Sequence, residues 1–166
     1  GASDPACDWV GQDTPAVVAD LAKRAGCYVD AELSPNISHL SDKQTKVLEK
    51  LIEASKIMNE IYLTQATPCR EALRQRISAL PEAEQATAER YFAINAGPWD
   101  RRFHYKPFMG SWEHPDGANF YPLDLTEEEK AFIGDTANGM DGLFSMIRRD
   151  ESGALEAVPY SKFFAG

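Results

Sequence analysis

Apolar residues recur at helical spacing through the first half of the chain, and the strongest pattern predicts a helix from about Ser41 to Leu63. It begins with Ser41-Asp42-Lys43-Gln44, which matches a capping box. Charged residues lie mostly on the other side, as on a solvated face. The apolar residues form one broad stripe, made of Val47, Leu48, Leu51, Ala54, Ile57, Met58, Ile61 and Tyr62.

Three further helices are predicted around this one from their start and stop signals. Thr14-Pro15 begins the first, which ends at Gly26; Thr67-Pro68 begins the second; Pro81 begins the third, which ends at Gly97. Short connections favour antiparallel packing of neighbouring helices, so this part is predicted to be a helical bundle. Their apolar positions include Val17, Val18, Leu21, Cys69, Leu73, Ile77, Tyr91 and Phe92.

Residues 97–125 lack regular periodicity but are rich in aromatic side chains. Long loops in compact domains are usually functional or packed by their own side chains. Within this loop, Asp100 is expected to pair with the guanidinium groups of Arg101 or Arg102, and Asn119 to bond the backbone. Trp99, Asn119 and Tyr121 line a cleft wall in one interpretation and pack internally in the other; internal packing is favoured because buried aromatics mostly serve packing.

The rest of the chain predicts a short helix and a β-hairpin. Thr126-Glu127-Glu128-Glu129 is a second capping box. Residues 143–148 and 154–159 alternate as strands around a turn in which Gly153 supplies positive φ. A last helix begins near Tyr160, with Ser161 as its cap. The predicted class is mostly α (α+β), a single domain over residues 1–166: an antiparallel helical bundle with a long aromatic loop and a C-terminal hairpin.

Composition narrows the classes of partner. The chain has 166 residues with a formal net charge of −9, and duplex binding needs clustered Lys and Arg, so no nucleic-acid partner is expected. No apolar run reaches the roughly 18 residues of a membrane span. Cys7, Cys27 and Cys69 form no CxxC pair; one disulfide plus a thiol is an alternative, but three buried thiols are expected.

The sequence offers no recognised catalytic motif. HExxH, GxSxG, GxxxxGK[ST] and GxGxxG are all missing, so neither catalytic nor metal-ligating residues are assigned. His104 and His114 flank the aromatic loop without a known ligand spacing, and packing among the aromatics is favoured for them. A third, less favoured hypothesis is a small enzyme of unrelated chemistry built around these two histidines and Asp100.

Two motifs in the loop region carry a resemblance to a known family. They are Gly97-Pro98-Trp99-Asp100-Arg101 and Gly117-Ala118-Asn119-Phe120-Tyr121-Pro122, the second followed by Asp124 and Thr126. Weaker support comes from residues 54–59 with Gln65, and from residues 148–150 and 158–161. In these segments the chain resembles the bacterial branch of the dipeptidyl-peptidase III family of zinc metallopeptidases.

That resemblance implies an N-terminal, non-catalytic segment of a longer two-lobed protein. Members of the family hold zinc with an HExxGH or HExxxH helix and release dipeptides from peptide N-termini, and none of those motif positions lies in this chain. The chain itself is therefore expected to bind no cofactor and to hydrolyse nothing. Zinc is expected only in the longer parent, whose remaining polypeptide and peptide substrate are the expected partners.

The resemblance also bears on location and on the main alternative. The absence of an initiator Met at Gly1 indicates a removed export signal or an expression scar. Because signal peptides are frequent in the family, a periplasmic or secreted location is expected, with the cytoplasm as the alternative. The rival hypothesis for function is a freestanding exported helical binding module without catalytic activity.

Overall fold

The structure is a computed structural model and describes residues 5–165. The chain divides into two compact units, one within Gly1–His114 and the other within Pro115–Gly166. The organisation as a single domain stays a prediction.

The first unit is mainly helical. Its described part comprises α1 (Leu21–Ala25), α2 (Asp42–Ala66), α3 (Arg70–Gln75) and α4 (Glu82–Asn95), with 3₁₀ turns at Pro5–Val10, Arg76–Ala79 and Arg101–Phe103. Two short antiparallel strands follow α4, β1 (Trp99–Asp100) and β2 (Lys106–Pro107), so part of the aromatic loop is itself a small hairpin.

The second unit contains α5 (Glu127–Gly134), a 3₁₀ turn (Thr136–Asn138), the hairpin of β3 (Ser145–Arg149) and β4 (Leu155–Pro159), and α6 (Tyr160–Phe163). The strands pair antiparallel, with Ser145 opposite Pro159 and Arg149 opposite Leu155. Gly153 turns the chain at φ 86°. The predicted mostly helical α+β class is thus confirmed, and so is the C-terminal hairpin.

The core of the first unit lies around α4. Aromatic and aliphatic side chains from the amino-terminal turn, α1, α3, α4 and the β1–β2 region pack into one cluster, with Tyr91 and Leu73 wholly buried. The cluster comprises Val10, Leu21, Ala25, Leu73, Ile77, Leu80, Ala88, Tyr91, Phe92, Trp99, Phe108 and Met109.

The predicted helix start at Thr14-Pro15 and the predicted cap at Ser161 are wrong. Residues 16–18 are extended because they pair with residues 108–110: the Val18 N–H donates to the Phe108 carbonyl at 2.9 Å and the Gly110 N–H to the Ala16 carbonyl at 2.8 Å. Helix α1 therefore begins at Leu21 rather than at Thr14-Pro15. At the other end of the chain, Ser161 does not cap α6, because it lies inside that helix after Pro159.

The expectation of three buried thiols is also wrong. Cys7 and Cys69 form a disulfide with their Cα atoms 5.6 Å apart, and Cys27 is exposed. Cys69 has φ 51° at the N-cap of α3. Because Cys69 has this left-handed conformation, α3 begins at Arg70 and not at the predicted start, Thr67-Pro68.

Helix α2 has the predicted capping box but not a buried stripe. The Ser41 hydroxyl accepts from the Gln44 N–H at 3.4 Å, and the Gln44 side chain accepts from the Ser41 N–H at 2.9 Å. None of the 25 residues of α2 is buried. Across residues 5–165, no helix combines the length and the hydropathy needed to cross a membrane.

Candidate functional site

The first motif opens where α4 ends. Ala96 takes a left-handed conformation, φ 61°, and the Gly97 N–H returns to the Phe92 carbonyl at 3.0 Å. A Cβ at position 97 would lie 2.6 Å from the Thr67 hydroxyl, which itself donates to the Ala96 carbonyl at 2.7 Å. Glycine is therefore required by close packing against the turn that precedes α3.

Asp100 is the buried anchor of this motif. Its side chain has no exposed surface, and its carboxylate accepts from the Tyr91 hydroxyl at 2.7 Å, from Arg24 Nη1 at 3.1 Å and from the Arg102 N–H at 3.0 Å. Burial, followed by the adjacent carboxylate, raises the pKa of Tyr91. The tyrosine therefore keeps the proton that it donates to Asp100. A buried charge is tolerated here because it is paired and hydrogen-bonded.

The neighbouring arginines do not form the expected pair with Asp100. Arg101 donates to the Tyr62 hydroxyl, and its guanidinium lies 5.7 Å from that ring's centroid. Arg102 stacks over Tyr28 at 5.9 Å. Of these two arginines, only the backbone N–H of Arg102 reaches the carboxylate, so the predicted pairing with a neighbouring guanidinium is wrong and Arg24, from α1, takes its place.

Trp99 packs inside the first unit. Its side chain is 2% exposed, its indole N–H donates to the Trp112 carbonyl at 2.8 Å, and its ring meets His114 edge to face at 5.0 Å. His114 also contacts Tyr105, with ring centroids 4.4 Å apart. Pro98 is buried beside it. These rings fill the loop, as aromatic clusters in cores do.

The second motif lies in the second unit and also depends on a glycine. Gly117 has φ 77°, and a Cβ there would lie 2.5 Å from the Tyr121 ring. The Phe120 N–H donates to the Gly117 carbonyl at 3.0 Å, which closes the turn. The left-handed backbone and the aromatic ring above it leave space for glycine only.

Arg148 holds this turn from β3. Its guanidinium donates to the Asn119 carbonyl at 2.9 Å and to the Phe120 carbonyl at 3.3 Å, and it lies 4.7 Å from the centroid of the Phe163 ring. Burial lowers the pKa of Arg148 from its ordinary value. The motif is thus tied to the hairpin and to α6 through one side chain.

Arg149, the next residue, connects three segments of the second unit. Its Nε donates to the Asp124 carboxylate at 3.0 Å, its two terminal nitrogens to Glu129 at 2.8 and 2.9 Å, and Nη1 also to the Gly153 carbonyl at 3.0 Å. Glu129 is at the same time the third residue of the Thr126 capping box. The Arg149 guanidinium, together with the Thr126 N–H, lowers the pKa of Glu129 to about 2.

This shift predicts a pH dependence of stability. Because the folded-state pKa of Glu129 lies below its ordinary value of 4.5, its contribution is complete above pH 4.5 and is lost as the pH falls toward 2. Glu129→Gln keeps a capping-box residue but removes the charge. We expect the variant's free energy of unfolding, measured in urea, to fall less steeply than wild type across this range. Glu128→Gln, an exposed neighbour, is the control; identical slopes for Glu129→Gln and wild type would contradict the prediction.

The site residues are packed and hydrogen-bonded rather than arranged around a reaction centre. Asp100 is wholly enclosed, which removes it from contact with a substrate and argues against an enzyme built on it with the two histidines. Within residues 5–165, no group of three or more His, Cys, Asp or Glu side chains could hold a metal ion. The residues present therefore do not fit the zinc centre that the resemblance assigns to the parent.

Sequence reasoning missed the residues that hold the two motifs. Arg24 and Tyr91 bind Asp100, but the apolar periodicity of their segments predicted only helices. Arg24 is also 76 residues away from Asp100 in the sequence. Arg148 and Arg149 belong to a segment that supports the resemblance more weakly. The signal for their position in the fold was the alternating strand pattern of residues 143–148, which Arg149 directly follows. Nothing local indicates that they bond the loop 25–29 residues earlier.

Comparison with solved structures shows where this fold occurs. The chain superposes on the structure of DPP III from Caldithrix abyssi with a TM-score of 0.76 and 34% identity over 87% of this chain. It superposes on dipeptidyl-peptidase III from Corallococcus sp. strain EGB with a TM-score of 0.77 and 27% identity over 88%. The resemblance to dipeptidyl-peptidase III is confirmed. No family model matches the chain.

The chain spans only part of each relative. It covers 28% of either dipeptidyl-peptidase III chain. A curated protein of Arabidopsis thaliana, Nudix hydrolase 3, is 24% identical across 87% of this chain, which covers 23% of that protein. The chain therefore corresponds to a partial segment of a dipeptidyl-peptidase III-like protein.

Proposed function

We propose that this chain is the N-terminal, non-catalytic segment of a dipeptidyl-peptidase III-like zinc peptidase, in which it forms part of the scaffold. The observation that carries the proposal is the match to two dipeptidyl-peptidase III structures over 87% and 88% of this chain but only 28% of theirs. The remaining polypeptide supplies the zinc-binding helix and the peptide site.

The chemistry of the two motifs supports a scaffolding role. Asp100 of the first motif, and Arg149, which binds Asp124 just after the second, each connect several segments of their own unit through charge-assisted hydrogen bonds, which fix the backbone rather than present groups to a ligand. Gly97 is required by a close contact with Thr67, and Gly117 by a close contact with the Tyr121 ring of its own motif. Residues of this kind position a framework on which a site elsewhere depends.

The test compares two proteins, the purified 166-residue chain and the whole natural polypeptide that carries it. We expect zinc-dependent release of dipeptides from peptide N-termini by the whole polypeptide, abolished by EDTA, and none from the chain. EDTA-sensitive dipeptide release by the chain alone would overturn the non-catalytic assignment. A whole polypeptide with zinc but no dipeptide release would overturn the assignment to a peptidase.

The alternative is a freestanding exported binding module, which shares the expected export with the peptidase segment. Disulfides persist mainly in oxidising compartments, so the Cys7–Cys69 bond supports a periplasmic or secreted location under either hypothesis. The intact mass of the natural polypeptide separates the two. A mass near 18.4 kDa supports the freestanding module, and a mass several-fold higher supports the peptidase segment.

A further inference from the structure

Helix α2 carries apolar side chains that the described part of the chain leaves uncovered. Residues 49–60 are all exposed, and Leu51 and Met58 keep 58% and 61% of their surface accessible. At 25 residues the helix is about 38 Å long at 1.5 Å per residue. Helices in proteins are stabilised mostly by packing an apolar face, so an uncovered face of this length indicates a missing contact surface.

The apolar side of α2 is unusually wide. At about 100° per residue, its apolar positions from Ile61 through Met58 to Ile52 extend over an arc of roughly 180°, and Ile57 and Leu63 lie just beyond the two ends of that arc. The opposite side carries the charged residues Lys46, Glu49, Glu53, Lys56 and Glu60. We call the wide side the α2 apolar arc, comprising Val47, Leu48, Leu51, Ile52, Ala54, Met58, Ile61 and Tyr62.

The width of the α2 apolar arc indicates what covers it. Two helices that pair as a coiled coil bury a narrower apolar seam than this. The residues with coiled-coil spacing, Val47, Leu51, Ala54, Met58 and Ile61, cover only about two heptads, whereas a coiled coil is indicated by about three to four. A second copy joined helix to helix would leave Ile52 in solvent. An arc of this width fits a groove formed by several helices or strands of a larger protein.

We propose that the α2 apolar arc packs into the remainder of the dipeptidyl-peptidase III-like polypeptide. This inference rests on the proposed function, and the 28% coverage of the matched chains provides the larger protein. The segment before α2 also carries exposed apolar side chains, since Val29 and Leu33 are 85% and 88% exposed. The part of the polypeptide that covers α2 therefore presents a complementary apolar groove.

Cysteine labelling of the whole natural polypeptide and of the 166-residue chain tests this contact. Both proteins carry Cys27→Ser, and either Met58→Cys in the α2 apolar arc or Glu49→Cys on the charged side. A maleimide reagent should modify both positions rapidly in the 166-residue chain. In the whole polypeptide we expect modification at position 58 to slow by about tenfold or more, and that at position 49 to change little.

The outcomes separate the inference from the proposed function. Equal labelling at position 58 in both proteins, with a natural mass several-fold above 18.4 kDa, overturns the inference and leaves the peptidase segment standing. A natural mass near 18.4 kDa overturns both. Protection of position 58 in the 166-residue chain that increases with protein concentration identifies a second copy as the occupant and also overturns the inference.

Discussion

Replacing Asp100 with alanine is expected to lower the free energy of unfolding of the chain by about 3 kcal/mol. The substitution removes a wholly buried carboxylate and leaves the Tyr91 hydroxyl and Arg24 without their shared acceptor. Breaking a buried pair costs about 3–5 kcal/mol when one charge stays uncompensated. The lower end applies because Arg24 is 17% exposed and keeps Asp20 at 2.8 Å.

Urea unfolding followed by far-UV circular dichroism measures this effect, with two further variants to interpret it. Asp100→Asn keeps the shape and one acceptor oxygen, so its loss should be smaller than that of Asp100→Ala. Asp20→Asn removes the exposed partner of the same Arg24 and should cost less than about 1 kcal/mol. If Asp100→Ala is no more destabilising than Asp20→Asn, the buried network does not hold the first motif in place.

The parts of the fold that could be predicted are those encoded by neighbouring residues. Both capping boxes, at Ser41 and Thr126, satisfy helix amides three residues ahead and formed as expected. The β3–β4 hairpin followed from alternation around Gly153. In each case the signal and the structure it specifies lie within a few residues of each other, so no knowledge of distant contacts was needed.

The parts that could not be predicted depend on contacts between distant segments. Extended pairing with residues 108–110 overrides the helix signal at Thr14-Pro15. Asp100 has two adjacent arginines in sequence, yet its ion-pair partner is Arg24, because the β1–β2 hairpin directs the two neighbours toward Tyr62 and Tyr28 instead. An ion pair between exposed neighbouring residues contributes little free energy. The ion-pair partner of Asp100 is therefore determined by which guanidinium the fold brings to the buried carboxylate.

The candidate site shows the same division. The motif residues could be selected from sequence by resemblance, but their physical roles required the tertiary structure. The 2.6 Å approach at Gly97 involves Thr67, thirty residues earlier, and the close contact at Gly117 involves a ring that folds back over it. Periodicity also indicated an apolar stripe on α2 correctly, while its exposure depends on what surrounds the helix.

Removal of the Cys7–Cys69 disulfide is expected to be the other large loss, about 4 kcal/mol for Cys7→Ala with Cys69→Ala. The bond closes a loop across 62 residues of sequence, and the chain-entropy model gives about 4 kcal/mol for a loop of that length. It joins the amino-terminal turn, which contributes Val10 to the core, to the start of α3, which contributes Leu73. Without the bond, the unfolded chain gains freedom that these contacts must offset.

Urea unfolding with and without dithiothreitol tests this expectation. Reduction should destabilise the wild-type chain by the same amount as the double substitution and should leave the double variant unchanged. Cys27→Ala is the matched control, since this exposed cysteine is outside the bond and its loss should stay within about 0.5 kcal/mol. Equal stability of the oxidised and reduced wild type would show that packing alone holds the turn on α3. A large difference would make the stability of the first unit dependent on an oxidising compartment, which is the condition that export provides.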